Sequence, residues 1–82
     1  MNETVYHHVD VTIDPRLPTP GVKDVAEVFG TSARQMDHDF GVQPVKPEQG
    51  VYRVGTTGAG ATQIKAGPQG RNAQISPDFY LR

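Results

Sequence analysis

From Thr4 to Asp14 the chain alternates strictly, with Val5, His7, Val9, Val11 and Ile13 on one side and Tyr6, His8, Asp10 and Thr12 on the other. A period of two is the mark of a strand with one face buried and one face wet, because successive side chains of an extended chain point to opposite sides. Its inner side is rich in β-branched residues, whose stiff side chains suit a pleated surface. Any fold for this chain has to place a core against that one side of the strand.

The material for the core is limited. With 82 residues there is room for one hydrophobic core, and a chain this short is marginal or externally supported. No Cys is present, so neither disulfides nor Cys-based zinc frameworks can staple it. Trp is absent and only three Phe and three Tyr occur, so the core falls mainly to Val, Ile, Leu and Met, and a deep substrate cavity is not expected. Eight basic residues against nine acidic ones give a net charge of -1, which leaves no broad positive field. Residues 1–20 carry no apolar run framed as a signal peptide, and no stretch reaches the roughly 18 apolar residues of a membrane span. A cytoplasmic setting is expected, or a virion if the chain is an assembly component, with no membrane contact.

Beyond the strand, Pro15, Pro18 and Pro20 interrupt any ladder, so residues 14–20 read as a connector. Thr19 before Pro20 resembles an N-cap with proline in the first turn, and Val22, Val25, Ala26 and Phe29 follow at helical spacing. Gly30 breaks that helix. Ser32 with Gln35 three residues on has the form of a capping box for a second helix lined by Ala33, Met36 and Phe40 and ended by Gly41. Two β-prone runs, residues 42–46 and 51–56, flank Pro47 to Gly50 and read as a hairpin, with Pro44 and Pro47 making the first an edge strand at best. Past Gly55, glycines and Pro68 punctuate the chain, and residues 58–82 read as an extended arm whose only strand-like run is residues 63–66.

Residues 22–40, VKDVAEVFGTSARQMDHDF, put a small Ala26 inside the first helix, Gly30 at the turn, Ser32 at the second cap and Met36 on the shared seam. With the hairpin-like GVQPVKPEQGVYRV behind it, this stretch resembles the winged helix-turn-helix domains of the excisionase and MerR types. The resemblance covers about half the chain and implies DNA binding. Arg34, Gln35 and His38 would then face the bases, and Lys23, Lys46 and Arg53 would meet phosphates. The same residues, 20–40, also read as one amphipathic helix, or a helix pair, packed on a small sheet.

Catalytic and metal chemistry find no foothold. His7 and His8 are neighbours on a strand and point apart, while Asp37, His38 and Asp39 diverge around a helix. No Ser or Thr sits in a nucleophile pattern, and the glycine-rich residues 55–60 lack the Gly-Lys-Ser/Thr ending of a phosphate loop. No cofactor and no metal are expected. Phe79, Tyr80 and Leu81 gather apolar surface at the chain end, either to complete the core or, the preferred reading, to anchor on a partner.

The expected architecture is α+β: an N-terminal strand, a helix-turn-helix-like pair, a hairpin wing and an extended C-terminal arm, divided as a compact unit over 1–57 and an arm over 58–82. The expected function is a non-enzymatic DNA-binding accessory or regulatory protein, oligomeric or part of a complex. Its rivals are a structural or interaction subunit of a larger assembly, such as a virion or multiprotein complex, docking through residues 79–81, and a processed precursor or propeptide.

Overall fold

A computed structural model describes residues 4–81, and of residues 77–81 the backbone alone. Six main elements follow in order: β1 (Val5–Thr12), α1 (Val22–Phe29), β2 (Val42–Lys46), β3 (Val51–Thr57), α2 (Gly58–Ala66) and β4 (Ala73–Leu81). Short 3-10 turns at Ala33–Gln35, Pro47–Gln49 and Gly70–Asn72 join some of them. The strands form one antiparallel sheet in the order β2-β3-β1-β4. A β-α-β-β-α-β chain with the outer strands second and last is the split β-α-β arrangement of the ferredoxin-like kind.

The alternation of β1 is realised at Val9 and Val11, whereas Val5, expected on the same buried side, is exposed and His7 is half-buried. Val9 and Val11 are wholly buried, and they meet Val54 and Tyr52 of β3 across the ladder. Both helices lie on that face, where Val25, Ala26 and Phe29 of α1 and Ala61 and Ile64 of α2 close one core with Met36. Each fully buried Val, Ile or Phe contributes about 1.5–3 kcal/mol against its exposed state. Among the described residues no helix covers the opposite face, where Asp10 pairs with Arg53 of β3 and His8 sits 5.1 Å, centroid to centroid, from Phe40.

α1 starts later than the Thr19-Pro20 signal implies. Gly21 is its N-cap, and the Asp24 carboxylate accepts from the Gly21 amide at 2.8 Å, an anion placed where the first-turn amides favour it. Gly30 ends the helix at φ 78, in the left-handed region a side chain would resist. The expected second helix does not form. Ser32 accepts from the Arg34 amide at 3.2 Å, but the helical turn it opens is only Ala33–Gln35. Sheet pairing wins over helix continuation: Met36 bridges to Thr56, and the Asp37 amide donates to the Gly55 carbonyl at 2.8 Å.

Residues 58–81 depart furthest from expectation. In place of an extended arm they build α2 and an outer strand, so the sheet runs through both the 1–57 and 58–82 segments. Val5, Tyr6 and His7 pair with Leu81, Tyr80 and Phe79, which fixes the backbone of the chain end on the sheet. The side chains of Phe79, Tyr80 and Leu81, the expected partner anchor, lie outside the described residues. The expected hairpin is present as β2 and β3, with β2 at the edge.

Candidate functional site

The base-facing trio of the sequence reading is split up. Arg34 is exposed on the 3-10 turn, whereas Gln35 is turned to the sheet: its side-chain oxygen accepts a hydrogen bond from the Thr57 hydroxyl, and its carbonyl accepts from the Thr56 hydroxyl at 3.0 Å. His38 is tied back through Nε2, which donates to the Ala33 carbonyl at 2.8 Å in the tautomer that carries its proton there. A three-residue 3-10 turn rises only about 6 Å, too short a rod to lie along a major groove.

The phosphate trio is dispersed as well. Lys23 is on α1, Lys46 ends β2, and Arg53 is on the sheet face turned away from the helices, where it grips Asp10 through Nε at 2.7 Å and its terminal nitrogen at 3.1 Å. Asp37, set aside as a metal candidate, is 97% buried in its own loop: its Oδ1 accepts from the Asp39 amide at 3.0 Å and from the Phe40 amide at 3.2 Å. That is a turn cap of the kind aspartate makes with its own backbone. Among the described residues no three His, Asp or Glu side chains gather for a metal, and no helix is long and apolar enough to cross a membrane.

A different region gathers what the predicted one does not. The three prolines of the first connector keep residues 13–20 out of helix and ladder, and a tight turn forms at their centre, with the Leu17 amide donating to the Asp14 carbonyl at 3.1 Å. The Asp14 carboxylate accepts from the Arg16 backbone amide at 2.9 Å and from its guanidinium at 2.8–3.2 Å. The Arg16 side chain beside it holds the Asp14 carboxyl below its ordinary range, and Asp14 raises Arg16 in return. Leu17 is thereby pushed outward and is 57% exposed.

Leu17 faces the outer side of α1. There Val28, 48% exposed, lies one turn beyond Asp24 on the same helix face. With Ile13, Pro18 and Pro20 they line a mainly apolar hollow of about 610 Å³, closed at one side by Gln69 and Asn72, whose side chains bond each other at 2.8 Å. This volume falls within the usual range for sites that hold a small molecule. No protein family, curated protein or solved structure matches the chain.

The chemistry of the hollow is mainly apolar and poor in reactive groups. The lining offers two carboxylates, the hydroxyls of Thr12 and Thr19 and two amides, with no His, Lys, Arg or Ser among them. Two of the five large apolar side chains exposed on the described surface meet here. Sequence reasoning passed over both, although each breaks its local pattern: Val28 lies off the Val22-Val25-Ala26-Phe29 stripe, and Leu17 is the one large apolar residue of residues 14–20. Apolar residues placed where the period calls for polar ones are the signal that would have found the hollow.

Proposed function

We propose that the chain is a non-catalytic protein-interaction module that seats an apolar side chain of a partner protein in the hollow between the 13–20 connector and α1. The observation that carries this reading is the meeting of exposed Leu17 and Val28 over an apolar concavity. Covering them would remove apolar surface from water and give such a contact its energetic centre, at about 25 cal/mol for each Å² covered.

The form of the sheet edges supports recognition at the hollow over strand addition. β2 carries Pro44 and a register shift between Pro44 and Lys46. In β4, Ile75 faces Val9 and Phe79 faces His7, so residues 76–78, Pro77 among them, stand opposite His8 alone. A proline and a bulge on each outer strand blunt the edges against another chain's backbone. The near-neutral charge suits a protein partner better than a polyanion.

Photo-crosslinking tests the proposal in cells that express the chain. A benzophenone side chain at position 28 is expected to form a discrete adduct with another protein, while the same group at position 48, in the β2–β3 turn, forms none. Equal adducts from both positions, or none from 28, would sink the docking reading. Gel retardation of a random duplex at low salt, abolished by Arg34→Ala, would restore nucleic acid as the ligand.

A further inference from the structure

The hollow has a charge as well as a shape. Asp14 and Asp24 stand on its rim and no Lys or Arg lines it. The two carboxylates are not equivalent. Asp14 is already matched by Arg16 at 2.8 Å, so its field beyond the turn is largely cancelled. Asp24 has one oxygen fixed by the Gly21 amide, and among the described residues no Lys or Arg forms an ion pair with it. Its place in the first turn of α1, with one oxygen bonded to the Gly21 amide, holds the carboxylate still. Val28 follows one helical turn later on the same face, which sets a fixed anion directly beside the apolar surface.

An occupant that buries its apolar side chain against Leu17 and Val28 brings its neighbouring residues to Asp24. On the docking reading above, we infer that the partner segment carries a Lys or Arg next to its apolar anchor, and that acidic segments are rejected. A cation there gains a fixed counter-charge, whereas a Glu or Asp beside Asp24 meets repulsion, the Arg16 guanidinium of the connector being already engaged by Asp14.

Two peptides with the same Leu-Leu core, one flanked by lysines and one by glutamates, decide the matter when titrated into the isotopically labelled chain. The Leu17 and Val28 methyl signals report on occupancy of the hollow. The lysine-flanked peptide is expected to bind about threefold or more tighter than the glutamate-flanked one. This gap should close in Asp24→Asn, whose amide oxygen can still accept from Gly21, and in about 0.5 M salt. Equal affinities for the two peptides, or a gap that Asp24→Asn leaves unchanged, overturns the charge inference while docking stands. If neither peptide moves the Leu17 and Val28 signals, or if Leu17→Ser with Val28→Ser leaves binding intact, the docking reading falls and the charge inference with it.

Discussion

α1 and α2 lie on the same face of one sheet, yet they reach it with different side chains: α1 sends in Val25, Ala26 and Phe29, while α2 sends in Gly60, Ala61 and Ile64. The first helix contributes volume. The second contributes closeness, because its small residues let the backbone settle against β3 and the Ala33–Gln35 turn. A Cβ built on Gly60 would stand 2.2 Å from the Thr56 hydroxyl and 2.8 Å from the Gln35 Cβ, so the contact exists only because that position carries no side chain. One sheet face can thus be closed by filling space on one side and by withholding it on the other, and the two halves should fail in different ways.

The largest effect is expected where volume is removed. Phe29 is wholly buried in α1, and Phe29→Ala should cost about 3–5 kcal/mol, from lost transfer energy and the cavity left behind. That is a large share of the stability of a domain this size, so urea denaturation should show the variant mostly unfolded under mild conditions. A loss below about 1.5 kcal/mol would mean that neighbours collapse into the gap and that α1 is not the volume-bearing half.

In α2 the opposite substitution should hurt. Gly60→Ala should lose about 1–3 kcal/mol through overpacking, although alanine is the better helix former. Gly58→Ala, two residues earlier, is the control: its Cβ would have no neighbour nearer than the His7 ring nitrogen at 3.7 Å, so stability should stay level or rise slightly. If both alanines stabilise, α2 is not held by close approach.

The same contrast explains what could be read from the sequence. α1 was legible because packing by volume leaves a periodic apolar stripe, and β1 because its alternation is strict. α2 was not, because Gly58, Ala59, Gly60 and Ala61 encode the fit by what they lack, and glycine-rich sequence ordinarily means a linker. The helix at 32–40 was over-read: Ser32 and Gln35 give a local cap signal, but Met36 is drawn into the core and paired with Thr56, a long-range contact with no local signature. Ser76-Pro77-Asp78 reads locally as a turn and in the fold is a bulge inside β4, since its neighbours on both sides pair with β1. Of the hollow, each residue was visible but not their meeting, which depends on where the 13–20 connector and the 69–72 turn come to rest.

The connections of the two halves differ as well. After α2 the chain is pinned by Lys65, whose ammonium donates to the Gly70 carbonyl at 3.1 Å and to the Ala73 carbonyl at 2.8 Å. Lys65→Met keeps the stem and removes both bonds. It should cost about 1–2 kcal/mol, since it takes a charged donor from the carbonyls of buried Gly70 and Ala73, and should speed amide exchange in residues 70–75 before it touches α1. Faster exchange spread evenly over both helices would show that the pin serves the whole fold and not its own half.

Before α1 the corresponding tie is the Asp14 and Arg16 pair, and it should have the smallest effect on folding because both groups face water. Its signature is a titration. The Arg16 guanidinium depresses the Asp14 carboxyl in the folded chain, so the stability it adds is present above the unfolded value, near pH 4, and is lost as pH falls through the lower folded value. Carboxyl carbon shifts followed by NMR should therefore place the Asp14 midpoint below the ordinary aspartate range and move it back up in Arg16→Gln. In the same variant the Leu17 methyl signals should shift, because the turn that pushes Leu17 outward is fixed partly by that pair. An Asp14 midpoint indifferent to Arg16 would mean that the prolines alone hold the connector open, and that the rim of the hollow carries two uncompensated carboxylates in place of one.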